Sequence, residues 1–462
     1  MSIDPSRLAA IFKAYDIRGT VPDQLDDEIA EAVGAAFARY VRTAGGPAER
    51  VLIGWDMRPS SVPLSEAFGR GVRSQGLDTA RMGLCSTDEV FFAAGHFDAP
   101  ACQFTASHNP AGYNGMKMAL AGAKPVGQDT GLDQIRTWAA EGSAPVEQPG
   151  VDGEIDALGP FVEHVCSFVD PSVIDGMRIV ADAANGMGGL IAPAVFDALP
   201  VELDLLYGEL DGTFPNHPAD PIQPENLVDL QERVVATGAA VGLAFDGDAD
   251  RVFLVDDAGE PVSGSITTAI VAVDQLGRHP GSTILHNLIC SKVVPEVIRE
   301  HGGTPVRTRV GHSFIKAVMA ETGAAFGGEH SGHYYFRDNY RADSGIIAAL
   351  SVLQVMAEAG RPLSELRKPF ERYAASGEIN TTVADAHRVI EHIAEHFGRA
   401  DQDHLDGLTV DLGDWWFNLR PSNTEPLLRL NVEAADRAAC DARVAELLQL
   451  ITSAPGGPEE LT

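Results

Sequence analysis

Four short segments concentrate side chains whose types and spacing can do chemistry. The sharpest is DGDADR, Asp246 to Arg251, set between the apolar runs VGLAF and VFLVDD. Three carboxylates at alternate positions, with only glycine and alanine between them, concentrate negative charge that a cation makes tolerable. Hard oxygens suit Mg²⁺ or Ca²⁺. An EF-hand also begins D-x-D-x-D, but it needs glycine at its sixth position and glutamate at its twelfth. This chain has Arg251 and Asp257 there, with strand-like rather than helical flanks. A solvated acidic turn is the plain alternative, and the apolar runs on both sides argue against it.

A second segment is TASHNPAGYNGMKM, Thr105 to Met118. Ser107 lies among small and turn-forming residues, so its hydroxyl can be presented to a cleft. A hydrolase elbow would read G-x-S-x-G, and neither glycine is present. His108 is adjacent in sequence, which makes it a poor base for the neighbouring hydroxyl. A serine can instead carry a phosphoryl group, for which a divalent metal, cations and one proton acceptor suffice. Lys117 follows ten residues on. Alone, S-H-N-P is more often an ordinary turn than a nucleophile; the acidic loop raises its interest.

The third segment pairs RVGHSFIK, carrying Arg309, His312 and Lys316, with GGEHSGH, carrying Glu329, Ser331 and His333. Glu329 and Ser331, two apart, could point to the same side of an extended segment and address the hydroxyls of a polyol. The two histidines could equally be structural, and the H-E-x-x-H order of common zinc sites is absent. The fourth is NLRPSNTEPLLRLNVE, Asn418 to Glu433. Arg420, Ser422, Asn423, Thr424 and Arg429 surround a turn whose amides, hydroxyls and guanidinium could hold a dianionic phosphate. A β-turn with incidental polar residues is the alternative.

The elements that would position these segments alternate short β-branched runs with amphipathic stretches, the pattern of an α/β protein. RVLIGWD, DTARMGL and ACQF read as strands, with a helix between the first two. The Pro-, Gly- and acid-rich stretch Glu141 to Gly153 reads as a linker. MRIVADAAN, VELDLLY, VGLAF and VFLVDD are strands of a second unit; STILHNLI and TPVRTRVG belong to a third, closed by a helix from Ser344 to about Ala359. Beyond Pro369 the texture becomes that of an antiparallel sheet with a charged helix and a terminal helix. Three similar mixed-sheet α/β domains, residues 1–150, 151–256 and 257–368, would thus precede a C-terminal α+β domain, 369–462, around a central cleft.

Composition narrows the partners. The 462 residues carry 66 Asp and Glu against 34 Lys and Arg, a formal charge of −32. Without a basic stripe, such a chain repels nucleic acid. The longest apolar stretch, from Gly345, is too short for a membrane span, and no secretory leader is evident, so a cytoplasmic protein without a membrane partner is expected. Cys85, Cys102, Cys166, Cys290 and Cys440 are scattered without a CxxC pair, against disulfides or zinc. Only six of the basic residues are lysines, Lys117 and Lys316 among them, which marks positions where a compact ammonium is wanted.

In order along the chain, KAYDIRG, TASHNP, DGDADR, GEHSGH and RPSNTEP resemble the motifs of the α-D-phosphohexomutase superfamily, in particular its bacterial phosphomannomutase/phosphoglucomutase branch. The resemblance covers nearly the entire chain. It implies a phosphoprotein isomerase of carbohydrate metabolism, interconverting hexose 1-phosphate and 6-phosphate of mannose, with glucose also, through phospho-Ser107 and a 1,6-bisphosphate. Phosphoglucosamine mutase and a metal-dependent phosphomonoesterase using the same serine are the alternatives. By resemblance, Asp246, Asp248 and Asp250 hold Mg²⁺ together with the phosphate on Ser107. Lys117 is the candidate proton acceptor and donor, with Arg18 beside it and His108 a lesser candidate. Glu329 and Ser331 read sugar hydroxyls, and Arg420, Ser422, Asn423 and Thr424 grip the nonreacting phosphate. Tyr15, Arg251, His312 and His333 match positions that line the cleft, on which Lys316, Arg420 and Arg429 are also expected to converge. Glucose 1,6-bisphosphate or mannose 1,6-bisphosphate is the implied activator, and a monomer or homodimer the implied state. Asn423, where aminosugar mutases carry glycine, favours mannose and glucose phosphates. His330 and Ile289 depart from residues common in the family and leave the choice between those two sugars open.

Overall fold

The computed structural model describes residues 3–44, 46, 48–421 and 427–458. Four sheets follow one another along the chain. In the first, the order is Ile17–Thr20, Tyr113–Leu120, Ala101–Phe104, Arg50–Trp55, Asp78–Leu84 and Asp152–Glu154, with Lys124–Pro125 added to Tyr113–Leu120. Arg50–Trp55 is parallel to both of its neighbours, and Tyr113–Leu120 is antiparallel to both of its own. Helices Asp27–Ala44 and Ser61–Ser74 meet at backbone distance. A Cβ on Gly34 would stand 2.1 Å from the Phe68 carbonyl oxygen, and one on Gly71 2.0 Å from that of Glu31.

The second sheet orders Pro261–Val262, Val252–Asp256, Val241–Phe245, Arg178–Asp182 and Glu202–Leu206. Val241–Phe245 and Val252–Asp256 are buried at every position, which is why their sequences lack alternation. They pair antiparallel, so the tight connection between them is the Asp246–Arg251 loop. The third sheet, Thr304–Thr308, Thr283–Asn287, Phe326–Gly328 and Tyr334–Phe336, is parallel except for its last strand. The fourth is antiparallel throughout: Ala374–Thr382, Leu427–Ala434, Trp415–Pro421, Leu408–Asp411 and Asp401–Asp403. Three mixed α/β sheets and one antiparallel sheet are thus the expected architecture. Among the described residues no single helix is long and apolar enough to cross a membrane.

The expected linker from Glu141 to Gly153 is not structureless. Asp152–Glu154 forms an edge strand parallel to Asp78–Leu84. All three of its residues are exposed, and ion pairs to Arg73 and Arg81 hold it. An edge held by backbone bonds and charges leaves no hydrophobic alternation to read.

Apolar packing divides the molecule unequally. The second and third units share one continuous core, running from Phe161 to Leu363, whereas the fourth has its own around Phe417, Leu430 and Leu447. Helix Thr87–His96 of the first unit is the junction piece. Phe92 enters the core shared by the second and third units, while Val90 and Phe91 pack with Leu52, Ala101 and Ala342. Ser344 of the third unit donates to Asp88 Oδ2 at 2.7 Å.

Burial pushes the Asp88 carboxyl up to about 7, and burial together with the Asp88 charge pushes Glu89 up to about 8. Both acids keep their protons in the folded chain where the unfolded chain, near its ordinary values of 3.8 and 4.5, has lost them. Their contribution to stability is therefore complete below about pH 4, declines as pH rises, and is lost above about pH 8. Glu89→Gln should flatten this decline, so that its melting temperature gains on the parent's between about pH 4 and pH 8 in scanning calorimetry. Parallel curves would contradict a buried, protonated Glu89.

Candidate active site

Ser107 follows the strand Ala101–Phe104 by three residues and takes a left-handed conformation, φ 51°. A non-glycine residue pays about 1–3 kcal/mol for such a backbone and keeps it only when its surroundings impose it. Here they do. Its amide donates to Thr105 Oγ1 at 2.9 Å. Beneath the loop lies Arg58, whose side chain is wholly buried. Its guanidinium donates to Asp56 Oδ2 at 3.1 Å and to the carbonyls of Ser107, Asn109, Pro110 and Tyr113 at 2.7–3.0 Å. Five N–H groups meet five acceptors. The second unit closes over this clamp, with the Phe214 ring 5.1 Å from the Arg58 guanidinium.

The Asp246–Arg251 loop comes up against the serine. Gly247 packs so closely that a Cβ there would stand 2.4 Å from the Ser107 carbonyl oxygen. Ser107 Oγ donates to Asp246 Oδ2 at 2.7 Å and receives Arg251 Nη2 at 2.8 Å. Lys117 Nζ bridges Asp248 Oδ2 and Asp250 Oδ2, both at 2.7 Å. Lys117 stands on Tyr113–Leu120 opposite Gln103, which brings it back beside the serine loop. His108 turns Nδ1 to Ser107 Oγ, 3.3 Å away, and meets Arg251 Nη2.

Each ionisation follows from these neighbours. Burial pushes Asp246 up to about 7 although Arg251 opposes it. Burial acts on Asp248 in the same direction, but the Lys117 ammonium more than reverses it and the carboxyl stays well below its ordinary range. For Lys117, burial would lower the value; Asp248 and Asp250 outweigh it, and the amine is held firmly protonated. The Arg251 charge, with burial, drives His108 down to about 2. His108 is thus neutral and Lys117 charged in this arrangement.

Two oxygens in the acidic loop are left over. Asp248 Oδ1 and Asp250 Oδ1 are buried and without a hydrogen-bond partner among the described residues. Ligand atoms of Asp246, Asp248 and Asp250 all lie within 4.8 Å of one another. Buried carboxylate oxygens left unpaired in this way are the donor set that a hard divalent cation completes.

Other residues singled out in the sequence surround this centre. His333 pairs by a β-bridge with Arg251; its Nδ1 lies 2.9 Å from Asp343 Oδ2 and 3.8 Å from Asp250 Oδ1. Burial disfavours its charge, but those two carboxylates prevail and raise its value. Arg18 reaches the serine loop through Asn109 Oδ1 at 2.6 Å and pairs with Asp16 at 2.6 Å. Tyr15 donates to the Val310 carbonyl of the third unit at 3.1 Å. Burial raises its phenol, as do Glu329 and Asp406, against Arg309 and Arg420, so the first, third and fourth units converge there. Arg309 stacks on Phe314, 4.4 Å from the ring centre.

Glu329 follows Phe326–Gly328 directly and is 1% exposed. It accepts Tyr335 Oη at 2.6 Å, Asn287 Nδ2 at 3.1 Å and the Gly311 amide at 3.2 Å. Ser331 is half-buried at the turn between the two strands of the hairpin. His330 turns instead to Ser265, Nδ1 to Oγ 3.0 Å. Arg420 and Arg429 face each other in register and share Glu378, at 2.7 and 3.2 Å. Ser422, Asn423 and Thr424 lie outside the described residues, as does the side chain of His312, which opens the helix His312–Thr322. Lys316 is carried on the helix His312–Thr322. It is 4% exposed, pairs with Asp343 at 2.8 Å and lies 4.1 Å over the Phe91 ring, where it supports His333 from behind.

Profiles of the phosphoglucomutase/phosphomannomutase family match four successive stretches: its α/β/α domain I over residues 9–144, domain II over 159–259, domain III over 263–373 and its C-terminal domain over 378–450. The chain belongs to this family. Curated relatives of similar length include the phosphohexose mutases of Xanthomonas campestris pv. campestris, 39% identical over 95% of this chain and 98% of theirs. A phosphomannomutase of Salmonella montevideo is 37% identical over 96% of this chain and 99% of its own. A crystal structure of a phosphoglucomutase/phosphomannomutase family protein from Burkholderia thailandensis superposes with a TM-score of 0.88 at 32% identity, covering 97% of this chain and 98% of that one. As a phosphoglucomutase/phosphomannomutase family member the chain is an enzyme, an isomerase of the phosphohexose mutase kind.

The sequence motifs miss several residues that this family member uses to build the site. Arg58 stands in WDMRPSS, where an acid and an arginine two apart follow a buried strand. That spacing suggests a local ion pair, not a clamp on a loop fifty residues away. Asp343 and Glu378, which orient His333 and the paired arginines, carry no motif at all. Replacing Arg58 with methionine would leave the Asp56 carboxylate buried and the loop carbonyls unpaired. A loss of about 3–5 kcal/mol in urea unfolding is expected. A loss below about 1 kcal/mol would show that the clamp is not needed.

Proposed function

We propose that this phosphohexose mutase interconverts the 1- and 6-phosphates of mannose, and also of glucose, through a phosphorylated Ser107 and a hexose 1,6-bisphosphate. The observation that carries the reading is the position of Ser107 Oγ, 2.7 Å from Asp246 and 2.8 Å from Arg251, beside two buried carboxylate oxygens without partners. A transferring phosphoryl group needs positive charge around its oxygens and a fixed line of attack, and little else from the protein. The names of the Xanthomonas and Salmonella relatives support hexose phosphates as substrates.

In the proposed cycle the bond from phosphorus to Ser107 Oγ breaks as one forms to the free sugar hydroxyl, whose proton leaves to a base. The resulting bisphosphate turns end over end and returns its other phosphoryl group to Ser107. Asp246, Asp248 and Asp250 would hold Mg²⁺, which would neutralise charge on the phosphoryl oxygens. Arg251, fixed by Asp246, serves the same charge from the protein side. Lys117 is the candidate base, with Arg18 near it. Its two carboxylate partners keep it protonated here, so it must exchange at least one of them before it accepts a proton. His108, driven to a low value by Arg251, is a weak competitor.

Tyr15, Arg18, His312, Glu329, Ser331 and His333 would surround the sugar, and Arg420, Ser422, Asn423, Thr424 and Arg429 the distal phosphate. Glu329 accepts one bond at Oε1, from Tyr335, and two at Oε2, from Asn287 and Gly311, which leaves one acceptor direction on Oε1 for a hydroxyl. Glucose 1,6-bisphosphate or mannose 1,6-bisphosphate would prime the unphosphorylated enzyme. A cytoplasmic enzyme, monomeric or homodimeric, is the reading adopted.

Incubation with glucose 1,6-bisphosphate should add one phosphoryl group to the Ser107 peptide by mass spectrometry, and none in Ser107→Ala. With Mg²⁺, mannose 1-phosphate should give mannose 6-phosphate with almost no free phosphate. Release of free phosphate as the main product would instead establish a phosphomonoesterase. Faster turnover of glucosamine 1-phosphate than of mannose or glucose 1-phosphate would make it an aminosugar mutase.

A further inference from the structure

Helix Thr87–His96, packed among the first three units, begins at the acidic loop. Thr87 is 2% exposed and makes two bonds to one residue of the second unit. Its amide donates to the Asp248 carbonyl at 3.0 Å, and its hydroxyl donates to Asp248 Oδ2. The same oxygen receives Lys117 Nζ at 2.7 Å. Two donors therefore occupy Oδ2, and Oδ1 is the oxygen left buried and unpartnered. An aspartate's terminal torsion is broad, so nothing within Asp248 itself fixes the plane of its carboxylate.

Among the described residues the hydroxyl makes no other hydrogen bond. The cap of this helix is Ser86, whose Oγ accepts the Glu89 amide at 3.3 Å. The helix is also seated independently, by Phe92 in the shared core and by Asp88 on Ser344. Removing the hydroxyl would leave the helix, its cap and the Thr87 amide bond in place.

We propose that Thr87 is a positioning residue for the divalent cation: it locks the Asp248 carboxylate so that Oδ1 is offered to the metal. This rests on the reading of Asp246, Asp248 and Asp250 as metal ligands. Thr87 acts across a domain boundary, so the first unit, which carries the serine, also sets the metal affinity of the loop in the second. Partners of metal ligands generally change affinity by about 10–100-fold when lost.

The test is titration calorimetry of Mg²⁺ into the metal-stripped full-length chain. Thr87→Val, close to threonine in shape, should weaken Mg²⁺ binding about tenfold or more, and Thr87→Ser, which keeps the hydroxyl, should stay within about threefold of the parent. In activity assays Thr87→Val should need a proportionally higher Mg²⁺ concentration and recover most of kcat at saturation. A change in general structure would depress kcat at every Mg²⁺ concentration. If valine is not tolerated, Thr87→Ala carries the same expectation. Parental affinity in Thr87→Val or Thr87→Ala would overturn the proposal, as would equal losses in Thr87→Val and Thr87→Ser. Absence of Mg²⁺ binding in the parent would overturn the metal-ligand reading itself.

Discussion

Three aspartates within five residues are buried almost completely, and the arrangement around them follows from that constraint. Isolated carboxylates cost several kcal/mol each in such a place, and partners must come from wherever the chain can supply them. Lys117 comes from the first sheet, Arg251 from the loop itself, Thr87 from a helix start and His333 from the third unit. Satisfying the loop therefore joins three units that each have their own sheet. Even so, Asp248 Oδ1 and Asp250 Oδ1 are left without a hydrogen-bond donor among the described residues.

A common geometry underlies the first three units. In each, the residues of interest begin within three positions of the carboxyl end of an inner strand: Ser107 after Ala101–Phe104, Asp246 after Val241–Phe245, Glu329 after Phe326–Gly328. Open α/β sheets place their ligands at such ends. Three sheets with their strand ends turned to one space bring the serine, the carboxylates and the Glu329 loop together without any long excursion of the chain.

What could be read from sequence was whatever is local. Asp246, Asp248 and Asp250 advertise themselves because their spacing and their apolar flanks lie within one window of the chain. The α/β rhythm and the antiparallel last sheet were legible for the same reason, since strand runs such as VGLAF and VFLVDD carry their own pattern. Arg58 was not, because its acceptors are backbone carbonyls that leave no mark on residue type. The rarity of Lys316 marks a wanted ammonium without saying for what; here it pairs with Asp343 over a phenylalanine ring. The strand Asp152–Glu154 escaped notice because charges, not burial, hold it.

The fourth unit is fastened differently from the rest. Its apolar core is separate, and charges join it to the third unit: Arg307 with Asp403, Lys292 with Asp411, and the Lys292 amide with Glu433. Such a seam is screened by salt and tolerates exchange of its members far better than an interdigitated core does. Mutations in the unit that carries Arg420 and Arg429 can therefore accumulate without disturbing the packing that seats Ser107. Over evolutionary time, the part of the molecule that would hold the distal phosphate is free to diverge in step with new substrates, while the transfer centre stays fixed.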